Sequence, residues 1–508
     1  METTANRVMK NTGFLYLKMS ITMFISLWTT RVILNSLGAD DFGIFSTVGG
    51  AIAFLGFLNS TMVNTTQRFM NYAEGEGKME KKKVIFNVSI VLHLITAFIF
   101  CILLLIGGIF YFNGVLDIPS DRIFAAKVVY ACLMVSTMFT VMTVPYDATI
   151  NAHENMKYYA IIGVVESLLK LGVAYATVFA SSDKLVLYGI LMACIPLITL
   201  TVMRIYCHRH YEECHVSLKR YWDKNMAKEI TSFVGWNFMG STSSLLGNYG
   251  LGIVLNHFHG VIANAAHGIA TQVNGMLMVF SLNMQKSLNP VIAKSEGAGQ
   301  RERMIRLTLT GNKITFCLFA FFSIPAIIEM PYLLRIWLKN VPQYAIIFTQ
   351  LVLVRTLIEQ TIAFFNTAIG AEGHISGINK VTIFTNFIPV VVSIILFSYG
   401  YPAVWLYIVS IMVFGILNIF IKTFFMVKNC KMELHVFLRQ MFLPLLAATA
   451  IQVPISLLPS LLMNESFIRL LLTIIISSIT FIIAFGKISL NHREYAMITS
   501  TIKAKLRL

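Results

Sequence analysis

The sequence predicts an all-α integral membrane protein of about fourteen transmembrane helices, and three observations carry that reading. Fourteen stretches of 20 or more mostly apolar residues run through the 508 positions, each long enough for an α-helix to cross a bilayer. Mean hydropathy is +0.72 and only 13% of residues are charged, against about a quarter in a soluble domain. Basic residues gather at alternate junctions between the apolar stretches.

The stretches fall at 12–37, 42–67, 84–112, 124–147, 157–181, 184–205, 232–257, 262–289, 308–330, 341–369, 377–399, 402–427, 438–460 and 466–485. With the N-terminus inside, the inner junctions hold 30 Lys and Arg residues, from Arg7 and Lys10 through Lys422 and Lys428 to Lys487, Arg493, Lys503, Lys505 and Arg507. The outer junctions hold 6: Arg122, Lys127, Lys184, Arg335, Lys339 and Arg469. Cytoplasmic loops retain Lys and Arg, so both termini are expected in the cytoplasm. The net charge of +16 is thereby explained by topology and by attraction to anionic membrane lipids, and nucleic acid is excluded as a partner. The first stretch is too long for a signal-peptide core and is expected to be retained.

None of the seven cysteines falls in an outer loop, so no disulfide framework is expected. The run CHRHYEECH at 207–215 holds two Cys and three His but matches no standard zinc spacing, and is expected to be a solvated loop. No cofactor or metal is expected.

An internal repeat organises the chain. VILN at 32–35 matches IVLN at 253–256, EGEGKMEK at 74–81 matches EGAGQRER at 296–303, and INAHEN at 150–155 matches IGAEGH at 369–374, all in the same order along the spans. An offset of six spans keeps both copies in the same orientation. This predicts six-helix lobes at 1–215 and 216–430, related by a pseudo-two-fold axis along the membrane normal with a cavity between them, and two further helices with a cytoplasmic tail at 431–508.

The segments TRVILNSLGADDFGIFSTVGG at 30–50, STMVNTTQRFMNYAEGEGK at 60–78 and VPYDATINAHENM at 144–156 resemble the Wzx-type polysaccharide and O-antigen flippases. These belong to the multidrug/oligosaccharidyl-lipid/polysaccharide (MOP) exporter superfamily. The pattern of Arg31, Leu34, Leu37, Gly38, Phe42 and Gly43 carries the likeness. The resemblance implies a bacterial inner-membrane protein that moves undecaprenyl-diphosphate-linked oligosaccharide, as for lipopolysaccharide, to the periplasmic leaflet by alternating access. It also implies a cationic cavity, coupling to Na+ or H+, and polysaccharide polymerase and glycosyltransferases as partners.

Charged groups inside spans are the candidate chemistry, because each costs about 2.5–3.5 kcal/mol at a span centre unless it faces protein or water. Glu166 with Lys170, and Arg355 with Glu359, have i, i+4 spacing, so the plainer reading is two intrahelical ion pairs and the functional one is a set of charges that exchange partners with a diphosphate. Lys18 and Arg31 have no carboxylate at helical spacing; both can snorkel to headgroups, and a guanidinium can also grip a phosphate through two hydrogen bonds. Asn59, Asn64 and Asn237, within polar runs of spans two and seven, are candidates for sugar hydroxyls or for helix packing. Glu329 and Asp147 are expected near span ends within reach of water, and His93 and His267 are titratable. Four cations against two carboxylates favour an anionic headgroup. A multidrug exporter and a peptidoglycan-precursor flippase remain open alternatives. A membrane polymerase or glycosyltransferase is disfavoured because every outer junction is short and no nucleotide-binding loop is present.

Overall fold

The computed structural model describes residues 4–53, 56–110, 112, 118–338 and 340–489. Lys339, Arg493, Lys503, Lys505 and Arg507 lie outside the described residues. Among the described residues there are helices and turns and no strand. The chain is an all-α membrane protein.

The helices run in order: α1 Thr4–Ala53, α2 Gly56–Glu76, α3 Met79–Phe110, α4 Ile123–Ala152, α5 Met156–Val178, α6 Lys184–His210, the short α7 Leu218–Tyr221 and the long α8 Lys224–Gly297. There follow α9 Arg301–Ile328, α10 Met330–Leu338, α11 Ala345–Gln360, α12 Phe365–Glu372, α13 Ser376–Ser398 and α14 Trp405–Ser410. The last are α15 Asn418–Cys430, α16 Leu434–Phe437, α17 Leu443–Leu462 and α18 Phe467–Ala484. Eleven helical segments of the described residues are long and apolar enough to cross a membrane, three fewer than the fourteen expected. The three shortfalls are spans two, seven and eight. They are helical, but their Asn, Ser, Thr and Gln content dilutes the apolar signal.

Single glycines punctuate the longest helices. Gly38 breaks α1 at φ 81°, ψ 171° and Gly260 breaks α8 at φ 79°, ψ −179°, a region open essentially to glycine alone. These breaks separate span one from two and span seven from eight. Gly77 and Gly299, at φ 70° and 72°, follow the ends of α2 and α8. Both pairs stand 222 positions apart, so the repeat seen in the sequence is also a repeat of backbone conformation.

The chain divides into two compact units. Unit 1 comprises Met1–Ser241 with Ala293–Gln300, and unit 2 comprises Thr242–Ile292 with Arg301–Leu508.

In unit 1, α3 shows how one helix serves both lipid and core. His93, Ala97, Phe100, Leu104 and Gly108 form its buried stripe, while Leu94, Phe98, Ile102, Leu105 and Ile109 form an exposed apolar one. The stripe turns inward because Gly108 lets Tyr130 of α4 approach, and the Tyr130 hydroxyl donates to the Leu104 carbonyl at 2.7 Å. Val129, buried beside it, packs against Gly189 of α6. Also in unit 1, the last turn of α8 crosses α2 at backbone contact. A Cβ on Gly75 would meet the Lys294 carbonyl oxygen at 2.0 Å, and one on Gly297 would meet the Tyr72 carbonyl oxygen at 2.0 Å.

In unit 2, the expected tenth span is interrupted between α11 and α12. The cause is Asn312 of α9, whose side-chain oxygen accepts from the Phe364 amide at 2.8 Å and captures a donor the helix would otherwise use. A π-helical segment, Ile411–Leu417, joins α14 to α15. The C-terminal helices are anchored by a buried ion pair: Arg469 of α18 donates to Glu329 at 2.7 and 3.1 Å, and Thr473 donates to the same carboxylate at 2.8 Å. Glu329 is therefore not the water-accessible acid expected from its place near a span end, because its exposure is 0%.

Candidate functional sites in the two units

The candidate residues of unit 1 gather along α1 and α5. Tyr159, Gly163, Glu166 and Lys170 recur at helical spacing on α5. Lys18 of α1 lies across this face with its Nζ 4.1 Å from the Tyr159 ring centroid. Glycine at 163 makes that possible, since a Cβ there would stand 2.1 Å from Lys18 Cε. Lys18 thus packs against α5 as a cation over an aromatic ring. Glu166 and Lys170 pair at 2.7 Å, and both remain half-exposed. Further along, the Trp28 indole donates to the Tyr175 hydroxyl at 2.9 Å, and the exposed Arg31 guanidinium lies 5.8 Å from the Trp28 ring. No carboxylate among the described residues pairs with Arg31.

The asparagines take different roles. Asn237 donates to Thr65 at 3.3 Å within unit 1, which favours helix packing for that residue. Asn64 is exposed, and the Asn59 carbonyl oxygen is buried without a hydrogen bond among the described residues. In unit 2 the span-seven serines Ser243 and Ser244 both receive the Asn386 amide at 2.8 Å, and Gly247 lets the Asn386 backbone approach. Asp147 accepts from Gln67 at 3.0 Å and Asn151 at 3.2 Å.

Unit 2 holds a denser polar cluster. Arg355 and Glu359 pair at 3.2 Å on α11 and are less exposed than the α5 pair. Arg355 also faces the Phe414 ring of the π-helical segment at 5.3 Å. His267 and the buried Tyr407 hydroxyl hydrogen-bond at 2.7 Å, and the Arg355 charge acts on both. Lys422 of α15, counted from sequence at an inner junction although it falls inside the stretch 402–427, lies within the candidate span Trp405–Cys430, half-buried and within the field of Glu359. Sequence reasoning did not count it among the in-span charges because it lies close to the inner end of its stretch. His93, the other titratable candidate, is 1% exposed and bonded to the Ser89 carbonyl at 2.8 Å, remote in kind from any ligand site.

A third constellation, which the sequence did not single out, closes one end of unit 1. Lys82 donates to Glu74 at 2.8 Å, Lys294 lies 3.4 Å from Glu74 and 3.7 Å from Glu154, and Arg7 lies 2.7 Å from Glu154. His153 Nε2 lies 2.5 Å from Glu213, and its Nδ1 lies 3.7 Å from Glu74. Burial alone would raise the Glu213 pKa, but the His153 hydrogen bond and the neighbouring positive charge hold it below its ordinary value. Three cations and three carboxylates meet here in one ion-pair network, within which the ligand atoms of Glu74, His153 and Glu213 lie within 4.8 Å of one another. The run 207–215 is correspondingly no solvated loop. Cys207, Glu213 and Cys214 are buried, whereas His208, His210 and His215 are exposed, with the His210 ring stacked on Tyr206. At the other end of α4, Arg122 bridges Asp41 at 2.9 Å and Asp183 at 2.7 Å.

No protein-family model and no curated protein matches the sequence. Solved structures do match. An outward-facing multidrug resistance MATE family transporter of the MOP superfamily aligns with TM-score 0.70 at 14% identity, covering 84% of this chain and 97% of that one. A MATE in complex with the compound MaD3S aligns with TM-score 0.70 at 14% identity, over 84% and 96% of the two chains. A MOP superfamily transporter from Pyrococcus furiosus, described as having a binding pocket of reversed polarity, aligns with TM-score 0.65 at 15% identity, over 84% and 97%. These likenesses are structural, and what they establish is that the chain shares the fold of these solved structures.

Proposed function

We propose that the protein is a flippase that moves a polyprenyl-diphosphate-linked oligosaccharide from the cytoplasmic to the periplasmic leaflet of a bacterial inner membrane by alternating access, with both termini cytoplasmic. The observation that carries this reading is Arg31. It is exposed on the membrane helix Asn6–Gly38, inside the flippase-like motif, with no neutralising carboxylate among the described residues. A guanidinium held this way offers a planar fork to a diphosphate, and lysine offers only a point charge. Lys18, Lys170, Arg355 and Lys422 add positive charge in membrane helices where Glu166 and Glu359 supply negative. The lipid tail stays in the bilayer while the polar head crosses, which avoids exposing apolar surface to water.

Deletion of the gene is expected to stop surface glycan and to accumulate lipid-linked repeat units in the cytoplasmic leaflet. Arg31→Ala should reproduce the defect with protein still in the membrane, and Arg31→Lys should restore export partly. A second reading, export of organic cations, is favoured by the multidrug transporters among the structural neighbours. A deletion strain that keeps its surface glycan and becomes sensitive to cationic drugs would replace the first reading with the second.

A further inference from the structure

The run 207–215, which the proposed transport does not use, continues into a cavity of unit 1. After α6 ends at His210 the chain makes the turn Glu212–Cys214 and reaches the short α7 at Leu218. Three sets of contacts fix this segment. Asn87 of α3 donates to the His215 carbonyl at 2.9 Å and accepts from the Ser217 amide at 2.8 Å. Glu213 meets His153 at 2.5 Å, and the Tyr211 ring stacks on the same imidazole with centroids 4.2 Å apart. The buried Cys207 and Cys214 lie against Tyr146 and Thr149 of α4. The segment is thus ordered before a ligand arrives, which lowers the entropy cost of binding one.

The cavity has a volume of about 280 Å³ and is lined by Lys83, His208, Tyr211, Glu212, His215 and Tyr221. Lys83 of α3 stands 5.9 Å from the Tyr221 ring centroid, and its other contact is Glu80 at 3.3 Å, a solvated carboxylate that holds it weakly. Among the described residues the ring nitrogens of His208 and His215 have no hydrogen bond to protein and no carboxylate partner, whereas His210 Nδ1 is bonded to the Tyr206 carbonyl at 2.9 Å. The charges of Arg204 and His215 also act on His208. Glu212 and these two imidazoles are not gathered as the ligand atoms of Glu74, His153 and Glu213 are, so a shared metal ion does not account for them.

An ammonium offers three donors, and an imidazole offers an N–H donor in either protonation state. Three such groups around one space suit a tetrahedral anion, which accepts hydrogen bonds from several sides. The cavity also lies where the candidate spans Met79–Phe110 and Lys184–His210 begin and end, the level at which lipid head groups sit. We propose that it binds the phosphate ester of a phospholipid head group, with Lys83, His208 and His215 donating to the phosphate and Glu212 accepting from a hydroxyl of the same head group. The proposed transport enters only in assigning this lipid to the cytoplasmic leaflet.

The test is native mass spectrometry of the full-length protein released from detergent micelles carrying phosphatidylglycerol. The wild type is expected to retain one such lipid, and to hold phosphatidylmethanol, which has the same charge and no head-group hydroxyl, less tightly. Lys83→Gln, and separately the combined His208→Gln with His215→Gln, should each lower the retained fraction about threefold or more. Lys219→Gln removes a neighbouring charge outside the lining and should leave it unchanged. The two pocket variants are independent, so a folding defect in one leaves the other as the test. A wild type that retains no lipid, or a Lys219→Gln loss equal to that of the pocket variants, overturns the proposal. Retention of inorganic phosphate in place of the lipid would overturn the lipid as its source. No cargo enters the measurement, so an incorrect choice of transported species would leave it unaffected and would appear only in the glycan and drug assays.

Discussion

Two ion pairs with the same i, i+4 spacing, Glu166–Lys170 on α5 and Arg355–Glu359 on α11, have different surroundings. The α5 pair is closed at 2.7 Å, and its partners retain 38% and 43% of their exposure. The α11 pair is longer, at 3.2 Å, and its partners retain 16% and 32%. Glu359 additionally feels Lys422, and Arg355 faces Phe414 and the His267–Tyr407 hydrogen bond. Spacing therefore determines that two charges meet, while third partners determine whether the meeting is strong or divided. A divided pair is the better exchanger of partners, because part of its interaction survives when one contact breaks.

This difference orders the expected effects of substitution. Arg355→Ala leaves Glu359 with a single cation and should reduce glycan export by about tenfold or more, equivalent to about 1.4 kcal/mol. If Arg355 merely neutralises Glu359, combining it with Glu359→Gln should restore export. Failure of the double variant to recover would assign Arg355 a role beyond neutralisation. Lys170→Ala should have a smaller effect, about twofold to fivefold, since half-exposed pairs contribute only about 0.2–1 kcal/mol. An effect of Lys170→Ala equal to that of Arg355→Ala would erase the distinction between the two helices. Gly163→Ala should change least. The new methyl meets only the flexible end of Lys18, so thermal stability should fall by less than about 1 kcal/mol while the Lys18 contact with Tyr159 is displaced. Loss of export in that variant would show that the placement of Lys18, and not its charge alone, matters.

A different class of buried pair supplies a stability comparison. Arg469→Ala would leave Glu329 buried with only Thr473 as a partner, and removal of one member of such a pair typically costs about 3–5 kcal/mol. A marked drop in the thermal midpoint of detergent-solubilised protein is expected, with α17 and α18 released first.

Much of the fold was legible because apolar length is a local property. Eleven of the fourteen expected spans are long and apolar enough among the described residues, and two of the three that fall short, spans two and seven, are those whose polar runs suggested a function. The breaks at Gly38 and Gly260 were foreseen only as junctions between spans, since nothing in a glycine's neighbours specifies its ψ. The gap between α11 and α12 was illegible because its cause, Asn312, lies 52 positions away from Phe364. The same reason hid Glu329, whose partner Arg469 is 140 positions distant. Of the site, the intrahelical pairs were readable and the network around His153 was not, for it draws on six separate chain segments. The run at 207–215, expected to be a solvated loop, is part-buried because Cys207, Cys214 and Glu213 meet Tyr146, Thr149 and His153, about 60 positions away in the chain.

The reciprocal crossing of α2 and α8 has a further consequence for how the sequence can drift. At positions 75 and 297 the space a side chain needs is filled by another segment's main-chain oxygen, and no substitution elsewhere can shrink a carbonyl. A saturation mutagenesis library selected for folded protein should therefore show two depleted columns 222 positions apart, with no compensating partner recoverable from pairwise epistasis.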